Sequence, residues 1–330
     1  MRRTQGHYSA RRAAVLLAVA CLAAAAASHP VSACSICRCG DPAFNALGLN
    51  IYSSNSFRIA FDWDRFDKTQ GSSEGGDGAR ESVLENRFTA AISYTPSDAL
   101  TLVARVPYTT RELTTEPGAG DATALDEDHG ERTTGRGLSD PELYALVRVW
   151  AAPFVGGLGR RAWVGVQLGV KTPWGENHLR ENGERLDEHV QPGTGSTDWI
   201  AGVAGVYVLD PVSSLFGSLQ HRGTGSNDFG YRYGTVSLAN LGYERKLGSR
   251  VDAVLELNGR HAGKERVDAD GALDPNTGGR LLYLSPKVVL NLSGSLVARV
   301  SAQIPVAKSL NGSQTERTVW GVGLTYVFGG

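Results

Sequence analysis

The chain has 330 residues, 41% of them hydrophobic, with 33 basic against 34 acidic side chains. No basic excess points to nucleic acid, and beyond residue 33 no run supplies the 18 or so unbroken apolar positions of a membrane helix. Nucleic-acid binding and a helical membrane fold are both excluded. Forty-one glycines and a single methionine suit many short strands joined by tight turns.

The N-terminus comes first. Arg2, Arg3, Arg11 and Arg12 precede an apolar run from Ala13 to Ala27, the break Ser28-His29-Pro30 and the small-residue site Val31-Ser32-Ala33. That order is the pattern of a secretory signal peptide. It predicts a mature chain from Cys34 with 29 basic and 34 acidic residues, a net charge of minus five. Val31-Ser32-Ala33-Cys34 also reads as a lipobox, although His29-Pro30 interrupts the apolar run that normally leads into one. The domain reading is a signal peptide over 1–33, a periplasmic cysteine-containing segment over 34–50 and one domain over 51–330.

The segment Cys34-Ser35-Ile36-Cys37-Arg38-Cys39-Gly40-Asp41-Pro42 holds every cysteine left once Cys21 departs with the signal. Thiolates at this spacing can converge on one soft ion such as copper or zinc. An oxidising compartment equally favours a disulfide, with the third thiol free, lipidated or paired with a periplasmic partner protein. A c-type haem is excluded because no histidine follows Cys37 or Cys39.

From residue 56 onward the chain alternates. In 56–66, Phe57, Ile59, Phe61 and Trp63 alternate with Arg58, Ala60, Asp62 and Asp64; period two places these sets on opposite faces of a strand. Segments 84–95 and 99–112 repeat the pattern, with Glu85, Arg87 and Arg105 on the polar register. Weaker versions follow at 138–151, 161–173, 197–209, 212–223, 230–246, 250–262, 280–291, 294–306 and 315–328. The odd-numbered connectors, such as 67–83, 113–137 and 174–196, are longer and more polar. The even-numbered ones, such as 96–98, 210–211 and 292–293, are mostly tight turns.

A soluble sandwich has no reason to sort its connectors by parity, nor to place Trp and Tyr near strand ends. A membrane barrel has both: short periplasmic turns, long outer loops and aromatic girdles. The expected fold is therefore all-β, a single antiparallel transmembrane barrel of about 12 strands in a bacterial outer membrane, where closure satisfies every strand edge. Outer-membrane lipid is its first partner.

Several stretches resemble a known family. Tyr94-Thr95-Pro96-Ser97-Asp98-Ala99-Leu100 leading to Arg105-Val106-Pro107-Tyr108, then Gly137-Leu138-Ser139-Asp140-Pro141, Gly169-Val170-Lys171-Thr172-Pro173-Trp174-Gly175 and Gln191-Pro192-Gly193-Thr194-Gly195-Ser196-Thr197-Asp198 are similar to successive landmarks of the outer-membrane transporter family associated with phenol and meta-pathway degradation. The resemblance covers residues 50–330. It implies an outer-membrane channel for small, often hydrophobic or aromatic compounds; the cysteine-rich opening departs from the family pattern.

The polar registers put Arg58, Asp62, Glu85, Arg87, Arg105, Glu142, Arg148, Lys171, Asp252, Glu256, Arg260 and Arg299 toward the lumen, because a charge on the lipid face at mid-depth costs roughly 2 to 4 kcal/mol. Passive diffusion of a small-molecule solute through a narrow, charged lumen is the expected activity, with residues 34–50 as a candidate plug. The alternative is a metal-handling or electron-transfer component using Cys34, Cys37 and Cys39. A barrel lipid hydrolase is a further alternative, with His221 or His261 near the outer rim and Ser218 or Ser226 as nucleophile; no spacing demands the base and orienting group that a nucleophile needs. Asp126, Glu127 and Asp128 beside His129 read as a solvated loop run.

Overall fold

The computed structural model describes residues 56–71, 80–116, 131–153, 160–266, 272–274, 277–312 and 314–328. The expected signal peptide, Cys34, Cys37 and Cys39, and the run 126–129 lie outside the described residues. No helix among the described residues is long and apolar enough to cross a membrane; the crossing is made by strands.

In chain order these are β1 (Ser56–Gly71), β2 (Arg80–Ser97), β3 (Leu100–Glu116), β4 (Glu131–Leu138), β5 (Glu142–Pro153), β6 (Arg160–Lys171), the two-residue pair β7 (Arg180–Glu181) and β8 (Glu184–Arg185), β9 (Asp198–Asp210), β10 (Ser213–Gly223), β11 (Val236–Lys246), β12 (Val251–Ala262), β13 (Gly279–Asn291), β14 (Leu296–Leu310), β15 (Thr315–Glu316) and β16 (Val319–Phe328). All but β7 and β8 belong to one antiparallel sheet, and β1 pairs with both β2 and β16, which closes it. β4 and β5 are halves of one wall strand, as are β15 and β16, so the wall has twelve strands. Closure removes the exposed edges that lipid cannot hydrogen-bond.

Alternation fixes the register, since slipping a strand by one residue would exchange its faces. Outward stand Phe61, Phe88, Leu168 and Leu241, half exposed or more, while Arg58, Asp62, Glu85 and Glu256 are buried within. Aromatic side chains mark both ends of the apolar band: Trp150, Tyr207 and Tyr326 toward the short turns, Trp199, Tyr108 and Trp320 toward the long loops. An apolar outer band between aromatic girdles is what a bilayer requires, and the protein is a bacterial outer-membrane barrel. By the loop-length rule of such barrels, the short turns and both ends of the sheet lie on the periplasmic side.

Three departures from the sequence reading have physical causes. The fourth wall strand starts at Glu131, seven residues before the expected 138, because the outer half of β3 offers it partners from Tyr108 to Thr115. It then breaks at Ser139-Asp140-Pro141, where Pro141 has no amide hydrogen and the Ser139 amide donates to the Pro107 carbonyl at 2.8 Å. Residues 230–235, expected as strand, are not part of β11; Tyr231 and Tyr233 turn inward instead.

Candidate functional site

The site is the barrel interior and its outer mouth. Inside, most charged side chains meet an opposite charge. Arg105 Nη1 donates to Glu142 Oε2 at 3.0 Å, and Arg222, from β10, reaches the other oxygen of the same carboxylate. Because β5 and β10 are separated in the wall by β6 and β9, the Arg222–Glu142 pair spans part of the lumen. Glu85 joins Arg87 at 2.6 Å and Arg111 at 2.9 Å. Arg299 meets Asp62 at 2.6 Å, and Lys287 meets Glu256 at 2.7 Å. Arg260 lies 3.4 Å from Glu316. Such pairs offset the cost of desolvating each charge only while both members are present.

The outer mouth is covered by the loop 172–197, which folds inward rather than standing away from the membrane. Its two ends are pinned at one hub. Lys171 Nζ donates to Asp140 Oδ2 at 2.9 Å and to the Ser196 carbonyl at 2.7 Å, and lies 3.3 Å from Asp198 Oδ2. Asp140 also accepts the Gly175 amide at 2.9 Å and the Thr194 amide at 2.7 Å. All six residues are supplied by three of the stretches that carry the family resemblance, and Pro107, of the Arg105-Val106-Pro107-Tyr108 stretch, holds Ser139 beside them. The loop's body continues across the opening: Arg111 on β3 donates to the Gln191 carbonyl, and Val190 and Gln191 are wholly buried.

Residues 224–235 cross from the other side. Tyr231 and Tyr233, which leave the wall between β10 and β11, pack on Val83 of β2 and Leu113 of β3 across the barrel. Asn227 donates to the Thr194 carbonyl at 3.2 Å, and Tyr233 Oη to the Glu188 carbonyl at 3.0 Å. Two ring nitrogens then tie in a third loop: His189 Nδ1 is 2.7 Å from Asp187, and Nε2 is 3.1 Å from Glu265, which also accepts the Tyr231 hydroxyl. Burial opposes charge on this ring, but the two carboxylates outweigh it and hold His189 protonated well above the ordinary 6.5. Burial likewise opposes charge on Asp187, and His189 overcomes it, lowering that carboxyl from 3.8 to about 2.

Toward the periplasm the lining changes character. Leu146, Trp163, Ala204, Val206, Phe216 and Val254 form an apolar cluster on the inner face, with Val208 and Val289 against it. The Arg148 guanidinium stacks over Trp163 at 5.9 Å from the ring centre. A cavity of about 640 Å3 opens there, bordered by Trp163, Val206, Val208, Arg148, Glu244 and Asp252. This apolar patch is not legible from charge placement, because inward positions such as Leu146 and Val254 read as ordinary members of weakly alternating strands.

Each expected lumen residue can now be placed. Arg58, Asp62, Glu85, Arg87, Arg105, Glu142, Arg148, Lys171, Asp252, Glu256, Arg260 and Arg299 all lie on the inward register. Asp252 accepts from Asn291 at 3.1 Å, while Arg148 and Asp252 border the open periplasmic cavity. Lys171 differs from the rest: it is sealed beneath the folded loop. Arg111, which continues the Arg105 register, and Arg222, which follows Gln220 at the same spacing, are equally inward and paired but stand outside the expected set.

The hydrolase alternative fares differently. Ser218 points inward, and Ser226 lies in the loop beyond β10. His221 instead meets Ser237 at 2.9 Å on the outer wall and stacks on Trp199. His261 is the cross-strand neighbour of that serine. No acidic side chain among the described residues is hydrogen-bonded to either ring, so the orienting third group of a nucleophilic site is absent there. Among the described residues no set of three or more metal-ligating side chains converges.

No family model and no curated protein matches the chain. Among solved structures it is similar to the COG4313 outer membrane channel from Pseudomonas putida F1, at 12% identity and a TM-score of 0.60, covering 84% of this chain and 97% of that one. It also aligns with the translocator domain of autotransporter NalP from Neisseria meningitidis, at 12% identity, a TM-score of 0.45 and coverage of 86% and 92%. A Pseudomonas aeruginosa FadL homologue aligns at 10% identity, a TM-score of 0.41 and coverage of 83% and 90%. Of these three likenesses, the first bears on the fold, which is that of a closed outer-membrane β-barrel.

Proposed function

We propose that this barrel is a passive channel for small amphipathic solutes, hydrophobic or aromatic at one end and charged at the other. The observation that carries the reading is the division of one inner surface into a paired-charge zone around Arg105, Glu142 and Arg222 and an apolar zone around Trp163 and Phe216. A solute with both characters finds a complementary wall at each level, and small sugars or simple ions find only half of it. The folded-in outer loops narrow the entrance, so size selection acts before chemistry.

Membership of the phenol and meta-pathway transporter family is part of the same proposal. It is supported by the way the resembling stretches meet at Asp140 and Lys171 to hold the mouth loop. The cysteine segment belongs to the proposal as a periplasmic attachment that binds a partner or a soft metal; copper or zinc retained by purified protein and released by replacing Cys34, Cys37 and Cys39 with Ser would support it.

The test is liposome swelling with aromatic carboxylates, sugars and simple anions of matched size. The channel reading expects the aromatic carboxylates to enter fastest, with Arg105→Ala changing the order of rates. Equal rates for all solutes, unchanged by Arg105→Ala, would remove the case for an amphipathic pathway.

A further inference from the structure

On the side of the barrel opposite the folded loop, the wall is slit. β14 and β16 are paired only as far as Gln303 and Val319. Beyond that point β14 continues to Leu310 on β13 alone. β15 stays with β1 through Lys68–Glu316 and Thr69–Thr315, and the Arg317 amide donates to the Asp67 carbonyl at 3.1 Å. The two edges diverge, and a cavity of about 600 Å3 lies between them, bordered by Arg65, Phe66, Ile304, Pro305, Arg317 and Trp320.

Above the closed, lipid-facing part of the wall, the free edge of β14 leaves amides without a cross-strand partner among the described residues, and an occupant with polar atoms would satisfy them. Its chemistry has two ends. Ile304 and Trp320 are exposed on the lipid side, and Pro305 brings no amide hydrogen to the edge. Arg65 and Arg317 stand where the outward apolar register of β1, which runs from Phe57 to Trp63, gives way to charge. Arg317 pairs with Asp67 at 2.8 Å, both partly exposed, whereas Arg65 has no acidic partner among the described residues. One net positive charge therefore remains beside an apolar cleft, at the depth of the outer headgroups.

We propose that this slit binds the phosphate-bearing headgroup of an outer-leaflet lipid, with an acyl chain against Ile304 and Trp320 and the phosphate on Arg65 and Arg317. A phosphate offers oxygens to both guanidinium groups, and the headgroup supplies acceptors to the unpaired edge. The site is separate from the channel interior, and it stands whether or not the solute reading does.

The experiment is native mass spectrometry of the full protein released from phosphatidylethanolamine vesicles doped with a multi-acyl glycolipid carrying a phosphomonoester. The expected result is one retained glycolipid per barrel, none with the dephosphorylated analogue, and no displacement by excess inorganic phosphate. Arg65→Gln with Arg317→Gln should weaken retention about twenty-five-fold, from roughly fivefold for each arginine facing an anionic lipid. Arg245→Gln with Arg250→Gln, the same loss of two charges on the periplasmic rim, should leave retention intact. Folding of each variant is checked by the heat-dependent gel shift of a closed barrel. Equal retention by the folded double variant, equal retention of the dephosphorylated lipid, or displacement by free phosphate would each overturn the proposal.

Discussion

Asp140 and Lys171 put a buried ion pair at a position where the wall strand is broken and its ladder bonds are interrupted. The pair is sealed from solvent, and Asp198 adds a second negative charge. Removing the cation strands two carboxylates, and breaking a buried pair costs about 3 to 5 kcal/mol. Lys171→Met should therefore lower the unfolding free energy of the detergent-solubilised barrel by that amount, read as a lower denaturant midpoint at unchanged slope, whereas Asp140→Asn, which leaves Lys171 with Asp198, should cost less. Gly323 illustrates the same economy of space: a Cβ there would sit 2.1 Å from Asp62 Oδ1, so Gly323→Ala should separate Asp62 from Arg299. At this scale the sequence was half legible. Alternation showed which side chains turn inward, but nothing in Gly137-Leu138-Ser139-Asp140-Pro141 announces that its carboxylate will meet Lys171, because that contact depends on a loop returning to the wall.

The strands were readable because lipid on one face and a polar lumen on the other impose period two, and the parity of connector lengths gave the topology. Loops carry no such signature. A polar loop that covers a mouth has the same composition as one that waves in water, so the inward fold of 172–197 and the turn of Tyr231 and Tyr233 toward Val83 were not legible. Gly135 is one of the points where that loop touches the wall, and a Cβ there would run into the Val190 carbonyl oxygen. Gly135→Val should lift the loop at a cost of about 1 to 3 kcal/mol and raise the single-channel conductance. The histidine tie gives the loops a pH dependence of determined sign. Because the folded state raises the His189 pKa, its contribution is complete below 6.5 and is lost as pH climbs through the raised value. The Asp187 contribution is complete above 3.8 and is lost as pH falls toward about 2. Limited proteolysis within 172–197 should accelerate in alkaline buffer, and His189→Ala should make cleavage fast and flat with pH.

For the whole molecule, the decisive asymmetry is that large apolar side chains cover the outside while charges and an apolar patch share the inside. Only hydrocarbon makes such an exterior stable, so protein stripped of detergent should aggregate; a monodisperse detergent-free solution would contradict the barrel's place in a membrane. The twelve-strand closure and its likeness to an outer-membrane channel fix the container, and the central claim concerns what passes through it. The most direct test is single-channel recording of the full protein in planar bilayers, beside a variant lacking residues 176–190. The intact protein should give small discrete steps, larger ones when the mouth loop is removed, and altered ion selectivity on Arg105→Ala. A folded barrel that inserts yet stays electrically silent, with and without the loop, would contradict the central claim.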